Sequence, residues 1–294
     1  MGDQRRDPVA RLLQLLTVSP VGDDRFEVPN PDRGFGPRVF GGQVAAQALV
    51  AATATMGDDR RAHSLHAYFL RPGRPGVPII YDVERTRDGR SFSTRRVVAR
   101  QPGEHADEAI FEMSTSFHVD EPGIDYAQPI NPRVPAPADA GDDMGFIPPG
   151  AAGEVPFELK ELGAEAPGAD GYFPSTRRVW MRIKSGVPDD PGVHTALLTF
   201  MSDMGAVMGA RPPLDELDLR TLMGASLDHS LFFHRPIRAD EWVLYDLRAV
   251  STGGGRGLTM GTMHAADGTL GMSVTQEAML RVVDPARATI PPEG

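Results

Sequence analysis

One carboxylate stands out among the residues whose type and position could support chemistry. Asp203 lies inside a mostly apolar segment, Val193–Met208, whose composition predicts a buried helix. A carboxylate in such a segment is unfavourable unless it is hydrogen-bonded or lines a cavity. Asp203 is therefore a candidate functional residue, and the alternative is a partly exposed Asp or one that caps the local backbone.

Two further polar residues lie in predicted strands and, taken alone, are typical of structure. Ser226 begins an alternating segment that runs to Pro236 and predicts one long strand, and Gln276 lies in the last predicted strand. The first of these strands also contains Asp228-His229-Ser230, the three residue types of a hydrolase triad. Consecutive strand residues point to opposite faces, whereas a triad is a spatial arrangement, so this triplet does not indicate a serine hydrolase. The sequence also lacks the Gly-x-Ser-x-Gly elbow of many such enzymes.

Two pairs of residues could bind a ligand rather than react with it. Gly41 and Gly42 precede an Ala-rich segment, 43–56, that predicts a helix, and their backbone N–H groups could hold an anion or a carbonyl oxygen. The same small residues would also let a helix pack closely against a sheet. Arg71 and Arg235 each precede a proline at the end of a predicted strand. There they could meet phosphate groups or pair with surface carboxylates.

The sequence indicates neither a metal site nor a bound cofactor. Cys is absent, which excludes disulfides, Cys-ligated metals and thiol nucleophiles. The histidines are scattered, and none forms a metal-binding pair such as His-Glu-x-x-His. The glycine-rich run 253–257 lacks the strand-loop-helix context of a phosphate loop and predicts a hairpin turn. We therefore predict no metal and no cofactor.

Charge and hydropathy limit the partners of the chain. A formal net charge of −10 over 294 residues argues against generic nucleic-acid binding. No apolar run is long enough to span a membrane. The N-terminus lacks the continuous apolar core and the cleavage site of a secretory signal. We expect a cytoplasmic protein without a stable membrane anchor.

The elements that must position these residues occur twice in the chain. Arg71-Pro72 and Arg235-Pro236 are 164 residues apart, and at the same offset Tyr81-Asp82-Val83 meets Tyr245-Asp246-Leu247. Each copy combines one helix of small or apolar residues with four long alternating strands, which predicts an α+β unit. A repeat of about one domain's length favours two fused copies. We therefore expect two fused units, each a sheet curled around one apolar helix.

Changes in composition set the predicted boundaries. Residues 120–176 are rich in Pro, Gly, Ala and acidic residues and lack periodicity, which predicts a linker. Predicted strands lie near 63–71, 77–86, 91–100 and 107–119, and then near 226–235, 241–250, 256–265 and 268–282. The predicted organisation is an N-terminal helix at 1–20, a first unit at 21–120, a linker at 121–176, a second unit at 177–287 and a C-terminal tail at 288–294.

Several motifs follow one another in order along the chain. They are Val39-Phe-Gly-Gly-Gln43, His63-Ser-Leu-His-Ala-Tyr-Phe-Leu-Arg-Pro-Gly73, Pro78-Ile-Ile-Tyr-Asp-Val83, Arg87-Asp-Gly-Arg-Ser-Phe92, Ala225-Ser-Leu-Asp-His-Ser230, Phe233-His-Arg-Pro236 and Gln276-Glu277. With these motifs the sequence resembles the acyl-CoA thioesterase II family, from about Leu12 to Val283, and the linker is the poorly matching part. The resemblance implies a double hotdog fold, in which the long helix of each unit is wrapped by an antiparallel sheet.

The resemblance also implies an activity, the hydrolysis of acyl-CoA thioesters in fatty acid metabolism. Members of the family hold the attacking water with an Asp, a Thr or Ser, and a Gln, all from the second hotdog. The matching residues here are Asp203, Ser226 and Gln276. One active site per chain is implied, since the first helix, 43–56, has no matching Asp. A homodimer or higher homo-oligomer is expected by the same resemblance.

Two rival functions use the same fold differently. A hotdog enoyl-CoA hydratase or dehydratase usually places an Asp and a His together in the site, and neither copy shows that pairing on its strand-to-helix segment. A non-catalytic acyl-CoA binder would only sequester its ligand and would not need Asp203, Ser226 and Gln276. The acyl chain length is left open, because the linker and the residues after Arg211 depart from the family pattern.

Overall fold

Helices and strands follow one another in two similar series. The computed structural model describes residues 7–31, 38–104, 106–141, 155–164, 175–211 and 222–283. The chain starts with α1 (Pro8–Leu16) and β1 (Ser19–Gly22). The first series is β2 (Arg25–Val28), α2 (Gly41–Thr53), β3 (Arg60–Phe69), β4 (Ile79–Asp88), β5 (Phe92–Arg100) and β6 (Ala109–Val119). The second series is β7 (Phe157–Gly163), β8 (Arg177–Ile183), α3 (Pro191–Ser202), α4 (Ala206–Gly209), β9 (Leu222–Ser226), β10 (Asp228–Phe233), β11 (Val243–Gly253), β12 (Arg256–Ala265) and β13 (Leu270–Val282).

One antiparallel sheet joins the two series. Within the described ranges its 13 strands run in the order β1-β2-β4-β5-β6-β3-β10-β13-β12-β11-β8-β7, with β9 paired to β13. The halves meet at β3 and β10, where His66 lies opposite Ser230. These two residues are 164 apart, the offset of the repeat, so a pseudo-twofold axis passes between them. We call α2 with β2–β6 the first unit and α3 with β8–β13 the second unit.

The two long helices pack against each other, and both contribute to one apolar core that also takes residues from both half-sheets. Helix α2 is buried along almost its whole length, and five of its buried residues are alanines. Small side chains let it approach the sheet on one side and α3 on the other. The predicted fold class, α+β with a helix wrapped by an antiparallel sheet in each unit, is confirmed.

The helix predicted over Val193–Met208 is shorter than expected. Helix α3 ends at Ser202, and Asp203 is its C-cap residue rather than an interior residue. Gly205 follows with φ +87°, a left-handed conformation that glycine adopts readily. The short helix α4 then starts at Ala206. The break places the Asp203 side chain at the end of a helix, where it can reach another element.

The two long helices start differently. Asp190 caps α3, since its Oδ1 accepts the N–H groups of Gly192 at 2.7 Å and of Val193 at 3.4 Å. At the start of α2 the N-cap residue is Phe40, which makes no side-chain capping hydrogen bond. The carbonyl of Phe40 accepts the amides of Gln43 and Val44, so the amides of Gly41 and Gly42 need an acceptor from elsewhere in the chain.

The stretch predicted as a linker, 121–176, contains regular structure. Strand β7 lies within it and pairs with β8, beyond the edge expected for the second unit. The preceding residues also pack onto this unit, and the carbonyl of Pro135 accepts the indole N–H of Trp180 at 2.9 Å. Ile130 and Val134 join Trp180 in a small apolar cluster. The described part of this stretch is thus attached to the second unit.

The sequence also predicted a glycine turn, no membrane span and no metal site. Gly254 and Gly255 form the turn between β11 and β12 with φ +58° and +75°, as expected for a glycine hairpin. In the described residues, no helix has the length and apolarity needed to cross a membrane. The same residues include no group of three or more His, Cys, Asp or Glu that could hold a metal ion.

Candidate active site

The C-terminal end of α3 carries the candidate carboxylate. Asp203 is buried, with 7% of the residue exposed, so its environment is largely dry. Its Oδ2 accepts the N–H of Gly42, the second residue of α2, at 2.9 Å. Asp203 thereby supplies the acceptor that Phe40 does not offer to α2. The positive end of the α2 dipole also favours a negative charge at this position.

Ser226 and Gln276 extend this contact into a chain of hydrogen bonds. The Ser226 hydroxyl donates to Oδ1 of Asp203 at 3.1 Å. Nε2 of Gln276 in turn donates to the Ser226 Oγ at 2.8 Å. The structure therefore brings together the three residues that the sequence singled out, from the end of α3, the end of β9 and the middle of β13.

A β-bulge aims Ser226 into the site. The sequence predicted one long strand from Ser226, but the strand breaks at Leu227 into β9 and β10. Ser226 pairs with Ala278, while Ser230 pairs with Thr275, so the register against β13 shifts by one residue. Without the shift, alternation would place Ser226 on the face of Asp228 and Ser230. With it, Ser226 faces the helices.

Burial sets the acidity of Asp203. Removal from water raises the pKa of its carboxyl to about 6, and the hydrogen bonds from Ser226, Gln276 and Gly42 oppose this shift. A carboxylate with this pKa is ionised at neutral pH and is more basic than an exposed one. It therefore suits a general base.

A buried tyrosine fixes the helix end that carries Asp203. The hydroxyl of Tyr245 in β11 donates to the carbonyl of Ser202 at 2.6 Å. Burial raises the pKa of Tyr245, and the charge of Asp203 adds to the shift. Tyr245 therefore stays neutral and keeps its proton for this hydrogen bond.

The glycine pair at the start of α2 is required by close packing. A Cβ on Gly41 would lie 2.7 Å from Oδ2 of Asp203 and 2.8 Å from Cε1 of Phe69. A Cβ on Gly42 would clash with the carbonyl oxygen of Phe200. The packing explanation of the pair thus holds. Because the Gly42 amide already serves Asp203, a role of these glycines in binding a substrate oxygen stays a prediction.

The two arginines proposed to meet phosphates have acidic partners. Arg71 forms an ion pair with Glu108 and also donates to the carbonyl of Ala109 at 2.9 Å. Arg235 forms an ion pair with Asp125. The alternative of pairing with surface carboxylates is therefore present in the structure. Their contact with a substrate phosphate stays a prediction.

The sequence did not single out His229 as a site residue. It was considered as part of Asp228-His229-Ser230, and the structure separates this triplet as expected, with a fully buried His229 between two half-buried neighbours. The imidazole faces the helices, and its Nε2 lies 2.7 Å from the Ser202 hydroxyl. Burial lowers the pKa of His229 to about 4. The alternation of the strand could have placed it on the inner face with Leu231, because the bulge changes the face of Ser226 and leaves that of His229 unchanged.

Comparisons with known proteins cover most of the chain. A family model for the acyl-CoA thioesterase N-terminal domain matches residues 29–118, and one for the acyl-CoA thioesterase C-terminal domain matches residues 132–280. Asp203, Ser226 and Gln276 all lie in the second range. Both halves of the chain are therefore accounted for by the two domains of one family.

Full-length relatives agree with these matches. Acyl-CoA thioesterase 2 of Haemophilus influenzae is 36% identical over 94% of this chain and 98% of its own length. Human acyl-coenzyme A thioesterase 8 is 34% identical over 91% of this chain and 88% of its own. The crystal structure of an acyl-CoA thioesterase II from Mycobacterium marinum superposes with a TM-score of 0.77 at 36% identity, covering 92% of this chain and 98% of that one. With two fused hotdog units, matches to both domains and relatives along nearly its whole length, this chain belongs to the acyl-CoA thioesterase II family of thioester hydrolases.

Proposed function

We propose that this chain hydrolyses acyl-CoA thioesters to a free fatty acid and CoA by direct attack of a water molecule that Asp203, Ser226 and Gln276 hold. The observation that carries the proposal is the hydrogen-bond chain from Gln276 through Ser226 to the buried carboxylate of Asp203. It combines a base, a hydroxyl and an amide around one point, which is what positioning a water requires.

The chemistry needs a base but no covalent intermediate. A water oxygen attacks the thioester carbonyl carbon while Asp203 takes one of its protons. The tetrahedral intermediate then expels the CoA thiolate, which accepts that proton and leaves as the thiol. The hydroxyl of Ser226 donates to Asp203 and accepts from Gln276, so its oxygen is held in place beside the base. Ser226 therefore orients water in this proposal and does not become acylated.

The surroundings of Asp203 favour the base in its working state. Its charge lies at the N-terminal end of α2, and Gly42 donates to the oxygen that Ser226 does not contact. The hydrogen bonds from Gly42 and Ser226, one to each oxygen, fix the carboxylate plane before substrate arrives. The N-terminal end of α2, beside Asp203, also offers backbone dipoles for the developing oxyanion. The proposal therefore places the thioester carbonyl near Gly41.

Several finer expectations accompany the proposal. The reaction needs no cofactor or metal, because its groups are all supplied by side chains. Assembly as a homodimer or higher homo-oligomer, and a cytoplasmic location, rest on the sequence and stay predictions. The assignment of 121–176 as a linker between two domains is likewise kept as a proposal, with β7 paired to the edge strand β8 of the second unit.

The first test is thiol release from a panel of short to long acyl-CoAs. Wild type should release CoA, and Asp203→Asn should reduce the rate about 10²- to 10⁴-fold, the range for loss of a general base. Mass spectrometry of enzyme quenched during turnover should find no acyl group on Ser226. An acylated Ser226 would exclude direct water attack. No release across the panel would exclude the activity and favour an acyl-CoA binder or a hydratase.

A further inference from the structure

An imidazole lies directly behind Gln276, and the proposed reaction does not use it. His229 in β10 is fully buried, and the pairing of Ser230 with Thr275 places it opposite Gln276 of β13. Within the described residues, Nδ1 of His229 and Oε1 of Gln276 are both buried without a hydrogen-bond partner. Two unpaired polar atoms on facing residues point to an interaction between them, since buried polar groups are nearly always hydrogen-bonded.

The orientation of the Gln276 amide decides which atom faces His229. Nε2 donates to Ser226, so Oε1 is directed away from Ser226 and needs a donor. If the Gln276 amide were rotated by 180°, Oε1 would face the Ser226 hydroxyl, and Ser226 would lose the hydrogen bond that it accepts from Nε2. The Gln276 side chain also raises the pKa of His229 against the larger effect of burial. This is the effect expected of an oxygen that accepts from a ring N–H.

The imidazole has one proton to place, because its low pKa keeps it neutral near pH 7. A proton on Nε2 would point to Ser202 and leave a lone pair on Nδ1 facing the lone pairs of Oε1. A proton on Nδ1 would donate to Oε1, and Nε2 would accept from Ser202. The Ser202 hydroxyl lies 2.7 Å from Nε2 and 2.8 Å from the carbonyl of Thr199, so it can turn its proton to either.

We propose that His229 is a positioning residue of the thioesterase site, whose Nδ1–H donates to Oε1 of Gln276 and keeps the Nε2 of this amide directed at Ser226. The hydrogen bonds then run in one direction, from Ser202 through His229, Gln276 and Ser226 to Asp203. His229 touches neither water nor substrate in this arrangement. This inference rests on the proposed function, since it assigns His229 to the same reaction.

Three substitutions of His229 separate the two ring nitrogens. His229→Leu removes both, and leucine is the residue at the matching place of the first unit, Leu65. His229→Asn keeps a donor near the position of Nδ1, whereas His229→Gln keeps one near Nε2. We expect His229→Leu and His229→Gln to lower kcat about tenfold or more with little change in KM. His229→Asn should retain several-fold more activity than either.

A double substitution tests whether His229 acts through Gln276. Adding His229→Leu to Gln276→Ala should cause no further loss of kcat, because the amide is already gone. His264→Leu is the matched control, since His264 is also a buried imidazole in the second unit with an unpaired Nδ1. It lies on the outer face of β12 against the carbonyl of Gln128, and kcat should not change. Equal loss in all three His229 variants, or losses that multiply in the double variant, would overturn the proposal.

A spectroscopic test does not depend on activity. In protein labelled with ¹⁵N-histidine, the signal lost in His229→Asn identifies this residue, and its ¹⁵N shifts report which nitrogen carries the proton. A protonated Nδ1 supports the proposal, and a protonated Nε2 refutes it. If wild type releases no thiol, the proposed function fails, and the spectrum still decides the hydrogen bond between His229 and Gln276.

Discussion

At the C-terminal end of α3 the second unit presents Asp203, and at the corresponding end of α2 the first unit presents Ala54. The strand pairing identifies further counterparts. In the first unit Leu65 pairs with Thr115, and in the second unit His229 lies opposite Gln276, so Leu65 corresponds to His229 and Thr115 to Gln276. Each polar residue of the site has a smaller or apolar counterpart in the first unit: Ala54 for Asp203, Ala62 for Ser226, Leu65 for His229 and Thr115 for Gln276.

A buried arginine occupies the corresponding end of the first unit. Arg95 pairs with Thr115 in the first unit, and Thr259 pairs with Gln276 in the second. Arg95 therefore corresponds to Thr259. The Arg95 side chain is 1% exposed, and it reaches the end of α2, where Nε donates to the Thr55 hydroxyl at 2.8 Å. Its Nη2 donates to Asp88 at 2.7 Å. Space that serves water and thioester in the proposed site is thus filled by a side chain in the first unit.

The backbone frame is nonetheless shared. The register of β3 against β6 shifts between Ala62 and Ser64, which places a bulge at the position matching Leu227. The units therefore differ in side chains more than in strand geometry. The fold therefore directs a set of positions at each helix end, and the residues at those positions decide whether chemistry is possible.

The largest effect should come from making the second unit resemble the first at Asp203. Asp203→Ala and Asp203→Asn should each lower kcat about 10²- to 10⁴-fold, because both remove the base. They should differ in stability, since Asn still offers an oxygen to Gly42, and an N-cap oxygen contributes about 1 kcal/mol. Urea denaturation should therefore show Asp203→Asn to be the more stable of the two. Equal stabilities would mean that Asp203 does not cap α2.

Smaller losses are expected from the other two exchanges. Ser226→Ala and Gln276→Thr carry the residues of the first unit and should each reduce kcat about 10- to 100-fold, because water is then less well aimed. The control in the first unit is Thr115→Val, which alters the counterpart of Gln276 and should leave kcat unchanged. A large loss from Thr115→Val would show that the first unit takes part in turnover.

Arg95 should matter for stability and not for rate. Arg95→Met removes donors from Thr55 and from the carbonyls of Arg87 and Thr94, which accept from it at 3.1 and 3.0 Å. The free energy of unfolding should fall by about 2 kcal/mol, as expected for buried acceptors left unpaired. Thr259→Val, at the corresponding place in the second unit, should lose less. Denaturation curves measure both, and a fall in kcat of the folded Arg95→Met protein would contradict the assignment.

The last prediction concerns the decrease of kcat/KM at acid pH, which we expect to be the smallest effect near neutral pH. Burial raises the pKa of Asp203 to about 6, so the base is present above that pH and is lost as pH falls through it. The value of kcat/KM, which reports the free enzyme, should therefore fall about tenfold per unit below the midpoint. Burial keeps the pKa of His229 lower, at about 4, so it should not shape this limb. A midpoint near that of an exposed carboxyl would show that Asp203 is not the titrating base.

Much of the frame was predictable from the sequence. The offset between Arg71-Pro72 and Arg235-Pro236 indicated the duplication, and alternation placed the eight long strands within a few residues of their observed bounds. Asp203, Ser226 and Gln276 were chosen by residue type and by resemblance, and the structure joins them by hydrogen bonds. Their roles in turnover remain predictions.

The features that the sequence did not predict were missed for physical reasons. A bulge adds one residue to a strand without a change in composition, so the sequence around Leu227 does not indicate that the Ser226 side chain points toward the helices. The cap on α2 comes from Asp203, which is 161 residues away in sequence, and no local motif predicts it. Arg95 lies on the buried face of β5 with Val97 and Ala99, and its burial depends on a hydrogen bond to Thr55, which is 40 residues away in sequence. The position of Gly205 could have indicated the earlier end of α3.

The pseudo-twofold axis between His66 and Ser230 has a consequence for the history of such a chain. In a homodimer of identical hotdogs, every substitution would alter both helix ends at once. Fusion into one polypeptide removes that constraint, so one end can be specialised while the other is closed by Arg95. The frame for a second site persists in the bulge at His63. Building a second site there would require more than new side chains at the C-terminal end of α2. The amides at the N-terminal end of α3 already donate to Asp190 and are not available to a new carboxylate.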